Sequence, residues 1–158
     1  MKALTEIIKD IFAELELKYL YAEEQSLFSF RLKTQNSDVN LVLRCDDAQQ
    51  MISCFADFPV KIPKVKHIAV LRAINVINYN YYHATLTLDE LDGQLMARSC
   101  MNTDEGAVNR AVVIALIYGC LNIIDLNLNE ILSLIYKDEP QVFIEEIITN
   151  QKVINGLN

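Results

Sequence analysis

The chain has 158 residues, with 14 Lys plus Arg against 21 Asp plus Glu and a formal net charge of −7. That length suits one domain, or one domain with a short appendage, and a domain of this size buries about 70% of its unfolded surface without needing a metal or disulfide. Hydrophobic residues at 52% and charged residues at 22% exclude an intrinsically disordered chain, and four Gly and three Pro exclude collagen-like and low-complexity architectures. The acidic balance argues against nucleic acid as a partner, because phosphate binding draws on Lys and Arg.

Leu4, Ile7, Ile8, Ile11, Phe12 and Leu15 recur at helical spacing with Glu6, Lys9, Asp10 and Glu14 between them, which predicts an amphipathic helix. The same charges, with Glu16, break any apolar stretch that could serve as a secretion signal, so a cytoplasmic location is expected. After Leu17 the period changes to two. Phe28, Phe30 and Leu32 alternate with Ser29 and Arg31, TQNSD (34–38) supplies a turn, and Val39, Leu41, Leu43 and Cys45 share the next face, which predicts a hairpin. A third strand is expected over Met51 to Ala56 after the polar DDAQQ turn.

Pro63 fits just inside the start of a second helix. From Lys64 to Ile77 the residues Val65, Ile68, Ala69, Leu71, Ile74, Val76 and Ile77 leave little room for a polar face, so burial on more than one side is expected. Tyr79 to Asp89 reads as a strand, DELDG (89–93) as a turn, and QLMARSCM as the partner strand of a second hairpin. Asn102 with Glu105 resembles a capping box opening a helix over about 107–124, and a further helical segment is expected over 128–136. The longest apolar run, Ala111 to Leu121, is shorter than the about 20 residues a membrane span requires, so no span is expected. The resulting order is α-β-β-β-α-β-β-α in an α+β antiparallel-sheet domain (1–137), followed by a C-terminal helical extension (138–158).

Chemical signatures are sparse. The glycines at 93, 106, 119 and 156 build neither a phosphate loop nor a dinucleotide fingerprint. His67 and His83 lack metal-ligand spacing, and both read as partly exposed polar residues. DELDG fails as a calcium loop, since Leu88 and Ser99 would occupy positions that need other oxygen donors. Cys45, Cys54, Cys100 and Cys120 show no CxxC spacing and read as reduced, mostly buried small hydrophobes. No GxSxG motif surrounds a serine, the carboxylates fall in turns or on polar helix faces, and no cofactor or metal is implied. Two features stand above this background. KIPKVKH (61–67) is a basic cluster in an acidic chain, and YNYYH (79–83) gathers aromatics of the kind enriched at protein interfaces.

Several segments carry a resemblance. The opening helix followed by KYLY, the hairpin around LFSFRL and VNLVLRC, the VKIPKVKH start of the second helix, and INVINYN followed by ATLTLDELDGQLMARSCM resemble the YbjN-like proteins and the class I type III secretion chaperones. The resemblance covers about residues 3–136. It implies a homodimer with a non-enzymatic, protein- or peptide-binding role, either chaperone-like or regulatory. Carried over by position, the dimer contact would use Val65 to Ile77 of the second helix and Tyr81 to Leu88 of the following strand, with Val65, Ile68, Leu71, Arg72, Tyr81, Tyr82 and His83 singled out within them. An extended partner segment would meet the Ile8–Phe12 face and the Tyr19–Tyr21 edge, although plain core packing also explains Ile8 and Phe12. Two other readings remain open. One is a small-molecule sensor or enzyme with a site assembled from residues such as His83, Asp89 and Arg98. The other is a structural subunit docking through Phe143, Ile144, Ile147 and Ile148.

Overall fold

In the computed structural model, which describes residues 2–103 and 108–137, the alternating segments build one antiparallel sheet. Its strands are β1 (Leu20–Ala22), β2 (Leu27–Lys33), β3 (Asp38–Asp46), β4 (Met51–Asp57), β5 (Thr85–Leu88) and β6 (Leu95–Asn102), in the spatial order β1-β2-β3-β4-β6-β5. Among the described residues, α1 (Leu4–Glu14) precedes the strands, α2 (His67–Asn80) lies between β4 and β5, and α3 (Arg110–Tyr136) follows β6. The architecture is the expected α+β class, with one short strand more than the sequence pattern reveals. β1 is three residues long, too short for an alternation of its own, and its register places Tyr21 opposite Phe28.

Period-two patterning puts Phe28, Phe30, Leu41, Leu43, Ile52, Cys54, Leu86, Leu95 and Ala97 on one buried face. The apolar stripe of α1 lands on the β2 side of that face, where Phe12 meets Phe28 and Phe30 edge-on at centroid distances of 5.5 and 5.3 Å. The β4–β6 side is covered by α3, whose Cys120 thiol donates to the Cys54 carbonyl at 3.4 Å. By length and composition α3 could cross a membrane. Here Val113, Leu116, Ile123, Ile124, Leu128 and Ile131 give its apolar face to the core. The opposite sheet face carries Ser29, Arg31, Asn40, Val42, Arg44, Phe55 and Arg98, all exposed or half-buried.

Four expectations are corrected. The strand expected over Tyr79–Asp89 shrinks to Thr85–Leu88, because α2 continues to Asn80 and the chain then crosses α3 instead of pairing with β6. Gly119 makes that crossing possible: a Cβ there would lie 2.7 Å from the His83 carbonyl oxygen. Asn102 does not cap α3; it ends β6 opposite Met51, and Asn109 caps the helix by accepting from the Val112 N–H at 3.1 Å. Glu105 lies outside the described residues. The two expected C-terminal helical segments form one helix, with Asn127 bonding back to the Ile123 carbonyl at 2.7 Å where the sequence turns polar. His67 is buried, its Nε2 3.0 Å from the Ile62 carbonyl oxygen. The extension proposed over 138–158, with Phe143, Ile144, Ile147 and Ile148, lies outside the described residues.

Candidate functional site

The second helix begins as the sequence suggests, with Pro63 in an extended conformation leading into a 3-10 turn over Lys64–Lys66. Its approach is tied down on the β5–β6 turn. Ile62 N–H donates to Gly93 O at 2.8 Å, and Lys61 pairs with Asp92 at 2.6 Å. Gly93, at φ +78°, is required there, since a Cβ would come within 2.4 Å of the Ile62 oxygen.

Among the described residues, one side of α2 is buried against the rest of the molecule. Val70, Ala73, Ile74 and Ile77 are buried with His67. On the other side, Val65 is 89% exposed and Ile68 62% exposed. With Leu71, Arg72, Val76 and Tyr79 they continue the three-to-four-residue spacing of one helix stripe. Ile68, Leu71, Arg72, Asn75 and Val76 line a shallow groove of about 480 Å³. The expected double-sided burial of α2 is therefore half realised within one chain. Just beyond the helix, Tyr82 is 87% exposed and His83 is exposed. Tyr81 is turned inward: its hydroxyl donates to the Gly119 carbonyl at 3.3 Å, and burial raises its pKa. Of the residues assigned to a dimer contact, Val65, Ile68, Leu71 and Arg72 thus fall on one open stripe with Tyr82 and His83 past its end, while Tyr81 supports the crossing. Sequence reasoning left Tyr79 out of the stripe and did not single out Asn75 and Val76 within Val65–Ile77, because both faces of the helix are apolar and only packing reveals its phase.

The two sheet edges differ. At β5, the Asn78 carboxamide closes the edge, donating to Leu86 O at 2.9 Å and accepting from Leu86 N–H at 2.8 Å. At the other end, β1 is the outermost strand and Leu20 is 80% exposed. A groove of about 510 Å³ opens beside it, lined by Lys18, Tyr19, Leu20, Ser29, Arg31 and Val42 among others. The expectation that Ile8 and Phe12 meet a partner is corrected, since both are fully buried beneath the sheet and have no surface to offer. Tyr19 and Tyr21 are half-buried, stacked on Phe12 and Phe28 at 5.4 and 4.6 Å, with the Lys9 ammonium 4.7 Å from the Tyr21 ring.

His83, Asp89 and Arg98 are spread along the chain around β5. Arg98 pairs across from Thr85 at one end of β5, whereas Asp89 follows its other end, about 13 Å away along an extended strand. His83 lies beyond Thr85 on the side away from Asp89. Cys45 and Cys54 are poor nucleophiles: burial, aided by the Asp47 charge, pushes Cys45 up to about 12, and a hydrogen bond with Cys120 plus burial raises Cys54 well above its ordinary value. Among the described residues, no three His, Cys, Asp or Glu side chains gather as a metal site.

Residues 5–132 match the YbjN family, whose description reads "Putative bacterial sensory transduction regulator". A search of curated proteins by sequence gives no match. Among solved structures, a chain of the ExsC–ExsE complex superposes with a TM-score of 0.60 at 16% identity, covering 81% of this chain and 96% of that one. YbjN from E. coli gives 0.59 at 8% identity, over 80% of this chain and 92% of its own. A chain of the HopA1–SchA chaperone–effector complex gives 0.51 at 17% identity, over 76% and 88%. At these identities the likeness is one of fold.

Proposed function

Since the chain belongs to the YbjN family, we propose that it is a cytoplasmic homodimer that binds a protein or peptide partner in a chaperone-like or regulatory role, without catalytic turnover. The observation that carries this reading is the open apolar stripe of α2. Val65, in the turn before α2, and Ile68 and Tyr79 on the helix are exposed, with Leu71 and Val76 half-buried between them, although the helix already buries Val70, Ala73, Ile74 and Ile77. A contiguous apolar surface of this kind costs solubility unless a partner covers it. A second copy meets the stripe with the same self-complementary surface, as a twofold interface requires, and a specific dimer buries on the order of 1,600 Å². Support for a protein partner comes from the fold, which is shared with chains of a chaperone–effector complex and of the ExsC–ExsE complex. The missing convergence of His83, Asp89 and Arg98 supports binding over chemistry.

Light scattering coupled to sizing tests the dimer. The full chain at micromolar concentration is expected at twice its chain mass, and Ile68→Asp at the chain mass with an unchanged circular dichroism spectrum. A monodisperse wild-type monomer overturns the reading.

A further inference from the structure

Resting on the dimer reading above, we propose that the chain's own residues 138–158 dock on the open stripe of α2 and compete there with the second copy, so that release of this segment sets the strength of the dimer.

The end of the described chain points to this occupant. The carbonyl of Lys137 accepts a hydrogen bond from the Lys66 ammonium at 2.7 Å, so the segment that follows starts at the N-terminal end of the stripe, where Val65 and Ile68 stand open. Ile68 to Tyr79 span about 17 Å at the helical rise, and Asp138 to Ile148 reach about as far even when coiled into a helix. Charge favours the segment over a second copy. From Phe58 to Leu88 the chain holds no Asp or Glu but carries Lys61, Lys64, Lys66 and Arg72. Asp92 takes up Lys61. Lys64, exposed beside Val65, and Arg72, which lines the groove with Ile68, Leu71 and Val76, form no ion pair among the described residues. A second copy laid on this surface by a twofold axis brings the same cations to it. Residues 138–158 instead bring Asp138, Glu139, Glu145 and Glu146 with a single cation, Lys152, and their Phe143, Ile144, Ile147 and Ile148 recur at helical spacing to match the apolar stripe. Tethering adds to the match. A segment attached at the edge of its site meets it at an effective concentration on the order of millimolar, whereas a second copy meets it only at its bulk concentration.

Sedimentation equilibrium of full-chain variants tests the competition. Phe143→Asp with Ile147→Asp, and separately Glu145→Lys with Glu146→Lys, are each expected to lower the dimer dissociation constant at least about tenfold. The two pairs change the net charge in opposite directions, so a shared effect does not come from overall repulsion. A synthetic peptide of residues 138–158, added to the chain carrying Phe143→Asp and Ile147→Asp, is expected to return it toward the wild-type constant. The same peptide carrying Glu145→Lys and Glu146→Lys is expected to leave it unmoved. A dissociation constant unchanged or raised in either variant, or a dimer indifferent to the unmodified peptide, overturns the competition and leaves the dimer standing. Monomers in wild type and variants alike overturn both.

Discussion

α1 and α2 each precede a run of strands and each carry more apolar than charged residues, yet a single chain completes only one of them. In α1, Leu4, Ile8, Ile11 and Phe12 form one stripe that the sheet covers, and Glu6 and Asp10 remain outside with Lys9 bonded back to Glu6 at 2.7 Å. In α2, one apolar face is covered and a second, from Val65 through Tyr79, is covered only in part among the described residues. A helix whose polar residues fill the side away from the core needs nothing further. One that is apolar around most of its circumference implies a second surface to pack on. That difference is the physical basis of the interacting role proposed for α2.

Breaking the completed side has the largest expected effect. Phe12→Ala removes a ring packed against Tyr19, Phe28 and Phe30, and a loss of about 3–5 kcal/mol in chemical denaturation is expected. A loss below about 1 kcal/mol, on the same scale, would mean α1 is not the closed lid described here. Next is Asn78→Ala, which strips both partners from the backbone of Leu86. It should cost about 1–3 kcal/mol, and by opening the β5 edge it should raise concentration-dependent aggregation, followed by light scattering. If stability and aggregation are both unchanged, the contrast between the two sheet edges dissolves.

Ile68→Asp sharpens the comparison from the unfinished side. Its side chain is mostly in solvent, so the folding stability of an isolated chain should shift by no more than about 0.5 kcal/mol. Dimerisation adds a dependence on mass action. The wild-type melting temperature should rise with protein concentration, and that of Ile68→Asp should not. Parallel behaviour of the two proteins would leave the stripe without a role in self-association.

How much of this could be read from residues alone follows from the reach of each pattern. β2, β3 and β6 were readable because alternation over seven to nine residues is a strong signal. β1 was not, because three residues carry no period, and its existence depends on Tyr21 finding Phe28 in register. The crossing at Tyr81–Ala84 was hidden for a different reason. It depends on Gly119, far along the chain, yielding room to the His83 carbonyl, and no local pattern reports such an approach. The residues of the α2 stripe were half visible: composition shows that two faces are apolar, and only the position of the sheet decides which of them stays open. At β1 the resemblance implies a role for the Tyr19–Tyr21 edge, but the groove itself is not legible, since Lys18 and Arg31 come together through pairing between β1 and β2 and not through spacing.

The smallest expected effect concerns how α2 is approached. Lys61 and Asp92 bind at 2.6 Å in full solvent contact, and the hydrogen bond from Lys61, followed by that from the Gln94 N–H, holds the Asp92 carboxyl below its ordinary value of 3.8. A carboxylate with a depressed folded-state pKa contributes stability that is complete above the unfolded value and is lost as pH falls through the folded one. Asp92→Asn keeps an acceptor for Gln94 and removes the charge facing Lys61. The melting temperature of the variant should therefore lie slightly below wild type at neutral pH, and the gap should close as pH drops below 3.8. Salt should narrow the same gap at neutral pH, because an exposed pair is readily screened. A gap that persists at low pH and in high salt would assign the effect to the shape of the turn around Gly93, leaving the approach to α2 anchored by Ile62 N–H on Gly93 O instead of by charge.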